Sequence, residues 1–200
     1  MFALVESGSI TKYLNGNKGI QLGDLKYPKA IYTLWTEAER NAIGIYEIVY
    51  DDTNKKDERW FINTNQSYAF ANSTVTATYG SATAKAHADT NFTEEDEDNG
   101  LGTEGEVKTR GLKYNLIRDV KISAANELAK TDWYITRNAE KSTAIPSAIT
   151  THRDLVRSRQ ATMETSITNA SNTPALETLY TYTTDSDGVV SRPLAEIPNL

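Results

Sequence analysis

The chain contains no cysteine among its 200 residues, so it has no disulfide framework, no thiolate metal site and no thiol nucleophile. Its redox compartment stays open on that ground. Long apolar runs are missing as well: none approaches the roughly 18 residues that a membrane-crossing helix needs. Met1-Phe2-Ala3-Leu4-Val5 meets Glu6 too soon to be a signal-peptide core. A soluble chain working in a cytoplasm, with no membrane partner, is the expectation. Histidine is scarce, only His87 and His152, and no HxxxH or HExxH spacing offers zinc a pair of ligands. A GxSxG elbow and a GxxxxGK[ST] loop are both absent. Asp132 and Glu140 near a helix turn are the nearest approach to paired acid–base carboxylates, and capping and solvation account for both. No catalytic residue, metal or cofactor is expected. The net charge of -6 disfavours nucleic acid, which is bound mainly by clustered Lys and Arg.

With 38% of residues hydrophobic, a modest core is available, best shared between two small units. The fold class reads as α+β: a small N-terminal antiparallel β unit over residues 1–80, an acidic flexible linker over 81–110, an α-helical hairpin over 111–183, and an extended tail over 184–200. In the first unit, Phe2 to Tyr13 alternates around Ser7-Gly8, a tight turn that would pair Val5 with Ile10 and Phe2 with Tyr13. Thr36 and Glu39 make a capping box for a short helix ending at Gly44. Trp35 beside it reads as a core tryptophan, with a ligand-stacking face as the sharper alternative. Residues 45–50 and 58–63 read as strands joined through the polar stretch 51–57, and 67–71 and 74–79 as strands about Asn72-Ser73. Tyr46, Tyr50, Trp60, Tyr68 and Tyr79 supply more aromatic surface than so small a sheet hides. Tyr46, Trp60 and Tyr68 are therefore candidates for contact with a protein partner, with packing of a sheet face as the plain alternative.

Between Gly80 and Arg110 hydrophobic residues nearly vanish, and Glu94-Glu95-Asp96-Glu97-Asp98 cannot offset its ordering cost by burial. Glu95, Glu97, Asn99, Gly100 and Glu106 also fall at the first, third, fifth, sixth and twelfth places of an EF-hand loop. Against calcium stand Glu rather than Asp at the first place, Gly102 at the eighth, and a poor entering helix over 84–92.

Two amphipathic runs dominate the rest. Leu112, Leu116, Ile117, Val120, Ala124 and Leu128 line one helix, and Ile149, Val156, Met163 and Ile167 line another that opens at Pro146. Between them Thr131 should cap a short helix with its hydroxyl, Asp132 should sit at the helix's positive end, and Trp133 should wedge between the long helices. Thr173-Pro174 starts a last short helix carrying Leu176, Leu179 and Tyr180. Arg137, Arg153, Arg157 and Arg159 gather positive charge here. Trp133, Arg137, Arg153 and Arg157 join the candidate partner contacts, along with an apolar groove between the long helices.

The run Leu128-Ala129-Lys130-Thr131-Asp132-Trp133-Tyr134-Ile135-Thr136-Arg137, followed by Glu140, Ile145-Pro146, Ile149, Arg153 and Arg157, resembles the C-terminal region of bacteriophage tail-assembly chaperone-like and tail-fibre-associated proteins. The opening Met1 to Tyr13, with Leu22-Gly23-Asp24-Leu25-Lys26, is similar to their N-terminal region. The middle of the chain does not share the likeness. His152 stands where that family usually has Tyr, and Val156 where it usually has Leu. The resemblance implies a non-enzymatic tail protein that binds another tail or tail-fibre component, transiently during assembly in the host cytoplasm or as a retained virion subunit, with self-association compatible with either. A tail-associated hydrolase acting on host envelope sugar, or a calcium-stabilised binding module, are the rival readings.

Overall fold

Ser7 and Gly8 both take positive φ, 52° and 79°, the mirror-image turn that suits the twist of the strands it joins. They fold β1 (Phe2–Glu6) against β2 (Ser9–Leu14). Val5 pairs with Ile10 as the alternation predicts, but a bulge after Leu4 shifts the remainder, so Phe2 faces Leu14 and Tyr13 faces Ala3. The computed structural model describes residues 1–64 and 66–200, and the chain divides into two units, Met1–Thr83 and Ala84–Leu200. The protein is of mixed α+β class.

In the first unit a small hairpin, β3 (Ile20–Leu22) and β4 (Leu25–Tyr27), precedes α1 (Ile31–Leu34) and α2 (Glu37–Ala42). The predicted capping box opens α2: the Thr36 N–H donates to Glu39 Oε2 at 2.8 Å, and the Glu39 N–H to Thr36 Oγ1 at 3.3 Å. Gly44 follows it at φ 78°, and a Cβ there would lie 2.7 Å from the Val5 carbonyl oxygen. Glycine is thus required for conformation and for clearance.

Strand β5 (Ile45–Asp51) pairs antiparallel with β1 through Ala3 and Tyr46. The expected hairpin between 45–50 and 58–63 does not form. Only β6 (Phe61–Ile62) is strand there, and Trp60 lies in a turn, its N–H donating to the Asp57 carbonyl at 3.0 Å. Strands β7 (Gln66–Ala71) and β8 (Thr74–Tyr79) form the hairpin expected about Asn72 and Ser73, both at positive φ. The intervening chain returns so that β8 enters beside β5 in the same direction, Ile48 opposite Val75. The sheet, ordered β2-β1-β5-β8-β7, is therefore mixed rather than antiparallel. Leu4, Leu14 and Ile45 on one face bury against Ile20, Ile31 and Tyr32. Ala3, Val5, Ile48, Val75 and Ala77 form the other core, flanked by Tyr46, Tyr68 and Phe70. The sheet curls far enough that Tyr13 of β2 stacks on Tyr68 of β7, ring centroids 4.8 Å apart.

Strand β9 (Thr83–Ala84) spans the boundary between the units. The stretch read as a structureless linker instead carries β10 (Thr90–Asn91), α3 (Glu94–Asp98) and β11 (Val107–Thr109), and β10 pairs with β11. Caps and ion pairs do here what burial cannot. Thr93 and Asp96 form a second capping box, Asp96 holds Lys108 at 2.6 Å, and Asp89 holds Arg110 at 2.6 Å and the Gly111 N–H at 2.7 Å. The EF-hand reading fails for the same reason: Glu95 and Glu97 belong to α3, not to a loop. No cluster of His, Cys, Asp or Glu among the described residues could hold a metal.

The long helices are α4 (Leu112–Ala129) and α6 (Ser147–Asn169), with α5 (Asp132–Lys141) between them and α7 (Thr173–Tyr180) after. Helices α4 and α6 pack as the predicted hairpin. Leu116, Val120 and Ala124 of one, and Ile149, Val156, Met163 and Ile167 of the other, are buried. Pro146 stands one place before α6, where its missing N–H costs nothing. After β12 (Thr183–Thr184) and β13 (Val190–Ser191) the tail is not loose. Leu194 is buried, its N–H donating to the Leu179 carbonyl at 2.9 Å, and the Leu200 N–H reaches Glu127 Oε1 at 2.9 Å.

Candidate protein-binding surface

The corner between α4 and α5 is filled by polar groups. Thr131 is completely buried, but it does not cap α5: its hydroxyl donates to the Leu128 carbonyl at 2.9 Å and accepts from Arg153 Nη1 at 2.7 Å. The same Nη1 lies 2.8 Å from the Leu128 carbonyl oxygen and 2.9 Å from Asp132 Oδ1. Arg153 therefore places a cation at the negative end of α4 and ties it to the first turn of α5. At 8% exposure, Arg153 is a structural arginine, which corrects its assignment to a partner surface. Beside it Glu127, also buried, accepts from Lys130 and from the Leu200 N–H and lies 3.2 Å from His152 Nε2. The Lys130 ammonium, then the Leu200 N–H and His152, hold the Glu127 carboxyl below its ordinary range against the opposing effect of burial.

With the corner so occupied, Trp133 does not wedge between the long helices. It is 51% exposed, stacked on Tyr134 with centroids 3.8 Å apart and lying 4.7 Å beneath the Arg137 guanidinium. Arg137 also lies over Tyr134 at 5.3 Å. Two aromatic rings and a guanidinium one turn away along α5 thus form a pre-assembled platform. Arg157 is exposed and paired only loosely with Asp154, at 3.3 Å.

The expected groove between the long helices is closed by their buried apolar side chains. Open apolar surface lies instead on the other side of α4, where Tyr114, Ile117, Ile122 and Ala125, with Arg118 and Lys121, line a shallow groove of about 490 Å³. Tyr114 and Ile122 are 43% and 52% exposed. Tyr114, Ile122 and Ala125 fall at helical spacing as a second row, and Ile117, expected in the inner stripe, is only half-buried and joins them. The Glu127–His152 contact had no sequence signal, because its members are joined only by packing.

No protein-family description, curated protein or solved structure matches this chain.

The three candidates in the β unit fare differently. Trp60 is 3% exposed and lies beneath the Arg59 guanidinium at 4.6 Å, so it is a core side chain and not a contact surface. Tyr46 packs on Phe70 at 4.8 Å and Tyr68 on Tyr13, both half-buried along one sheet face. Trp35 likewise packs edge-on against Tyr27, at 5.8 Å. Of the seven candidate contacts, Trp133 and Arg137 on α5 and Arg157 on α6 have surface to offer in the helical unit, Arg137 being half-buried.

Proposed function

We propose that this chain is a non-enzymatic bacteriophage tail protein that binds another tail or tail-fibre component, during assembly or as a retained virion subunit. The helical unit makes the contact. The observation that carries this reading is the half-exposed Trp133 stacked with Tyr134 and Arg137 on α5. Tryptophan, tyrosine and arginine dominate protein–protein hot spots, and a stack already formed loses little side-chain freedom on binding. The fixed corner beneath it supports the same reading, since Arg153 and Thr131 lock the start of α5 against α4. The outer row on α4 supplies further apolar area.

A photo-crosslinking residue at the exposed position 136 of α5, which leaves the stack in place, expressed with the other structural proteins of the same phage, tests the contact. A discrete adduct to a tail or tail-fibre protein, lost when Arg137 is also replaced by Glu, is expected. Absence of any adduct, or an adduct indifferent to Arg137→Glu, refutes it. Quantifying the chain in purified particles then separates the two roles, stoichiometric copies marking a retained subunit.

A further inference from the structure

A cleft in the β unit shares no residue with the proposed contact. It measures about 630 Å³ and is lined by Lys12, Tyr13, Asn15, Lys18, Gln21 and Tyr32, among others, a volume within the ordinary range for a small-molecule site. In a chain of net charge -6, its lining includes two lysines and no acidic side chain. Neither lysine takes part in an ion pair among the described residues.

The cleft is also built firmly. A Cβ on Gly16, whose φ is +70°, would lie 3.3 Å from the Phe2 ring and 3.4 Å from that of Tyr32. The loop is thereby pressed against the Phe2–Tyr32 pair, whose centroids are 5.0 Å apart. At the loop's other end, a Cβ on Gly19 would fall 2.4 Å from the Tyr27 carbonyl oxygen, which pins the wall to the end of β4. A cleft held in this way spends little free energy on closing around a ligand.

The aromatic rings narrow the ligand class. Tyr32 is 7% exposed and packed on Phe2, and Tyr13 is tilted against Tyr68. Tyr32 is therefore no free flat face of the kind a planar base would stack on, while Tyr13, 53% exposed, keeps ring surface for the C–H face of a sugar. Carboxamides from Asn15 and Gln21, phenol edges, and the side chains of Leu14 and Ile20 suit a hydroxyl-bearing saturated ring. We infer that the cleft between β2 and β3 binds an anionic sugar unit, its carboxylate or phosphate held by Lys12 and Lys18 and its ring hydroxyls by Asn15 and Gln21. This assignment stands independently of the tail-protein reading.

Amide chemical shifts of the full chain, followed during titration with glucuronate, glucose 6-phosphate, glucose and inorganic phosphate, test it. At least one of the two charged sugars should shift residues 12–21 and bind at least tenfold more tightly than both glucose and inorganic phosphate. The response should weaken at least tenfold in Lys12→Gln/Lys18→Gln, whose exposed positions leave the remaining spectrum in place. If the carboxylate sugar wins, a uronic-acid unit is the ligand; if the phosphate sugar wins, a phosphorylated one is. Equal binding of inorganic phosphate alone, equal binding of glucose, no response to either charged sugar, or binding unchanged in the double variant would each overturn the assignment.

Discussion

The β unit and the helical unit handle polar groups in opposite ways. Among the described residues of the β unit the buried set is almost wholly apolar on both sheet faces, with Arg40 a buried charge, and the demanding positions are backbone ones such as Gly44. In the helical unit the apolar seam between α4 and α6 stops short of the corner, where Glu127, Thr131 and Arg153 are buried instead. A sheet satisfies its interior backbone through strand pairing. A helix leaves its last carbonyls unpaired, and a corner between helices must bring donors to them. Arg153 is such a donor, and its presence there leaves the indole of Trp133 outside. The lesson is that an exposed tryptophan can be the consequence of a buried arginine.

The largest expected effect tests the apolar seam. Ile167→Ala, at a fully buried position, should cost about 3 kcal/mol, read from urea denaturation followed by helical circular dichroism. A loss under about 1 kcal/mol would mean that the seam is not close-packed. Next comes the polar corner: Arg153→Met should cost about 2 kcal/mol by stranding Thr131 and the end of α4, while Arg157→Met on the same helix stays within about 0.5 kcal/mol. Equal effects would erase the distinction between a structural and a surface arginine. For the β unit, Gly44→Ala should cost more than about 1 kcal/mol, since alanine is strained at positive φ and approaches the Val5 carbonyl. A neutral result would show that β1 and β5 yield there.

A pH series sharpens the contrast from the other side. Because the folded protein holds the Glu127 carboxyl below its ordinary value of 4.5, the stabilisation is fully present above that value and is lost as pH falls through the lower folded pKa. Glu127→Gln should flatten this part of the acid limb in thermal melts of the full chain; an unchanged acid limb would remove Glu127 as a contributor. Trp133→Ala should also leave stability within about 1 kcal/mol, as befits a half-exposed side chain, although binding of the partner should fall at least tenfold in a pull-down. A large loss of stability would show that the indole supports the corner after all.

Local pattern made much of this readable. Turn residues at Ser7-Gly8 and Asn72-Ser73, the Thr36–Glu39 box, and the apolar stripes of α4 and α6 act over a few residues, so their signal is contained in the sequence. The parallel pairing of β5 with β8 was hidden, because neighbouring strands invite a hairpin and nothing local announces that the chain returns. The acidic stretch misled for a related reason. Composition registers its lack of apolar residues, but not that Lys108 and Arg110 lie where Asp96 and Asp89 can reach them. Among the candidate contacts, residue type suggested Trp60 and Arg153 as strongly as Trp133, and only burial told them apart.

By itself, the sequence determined the two long helices, the helix capped by Thr36, the tight turns at Ser7-Gly8 and Asn72-Ser73 and most of the apolar stripes of the long helices, because caps, periodicity and positive-φ residues act through near neighbours. The tertiary structure decided the strand order, the ordering of the acidic stretch, the polar corner and the outward turn of Trp133. Each of those depends on residues well separated along the chain competing for the same space and the same hydrogen-bond partners, and that competition is settled only when the chain has packed.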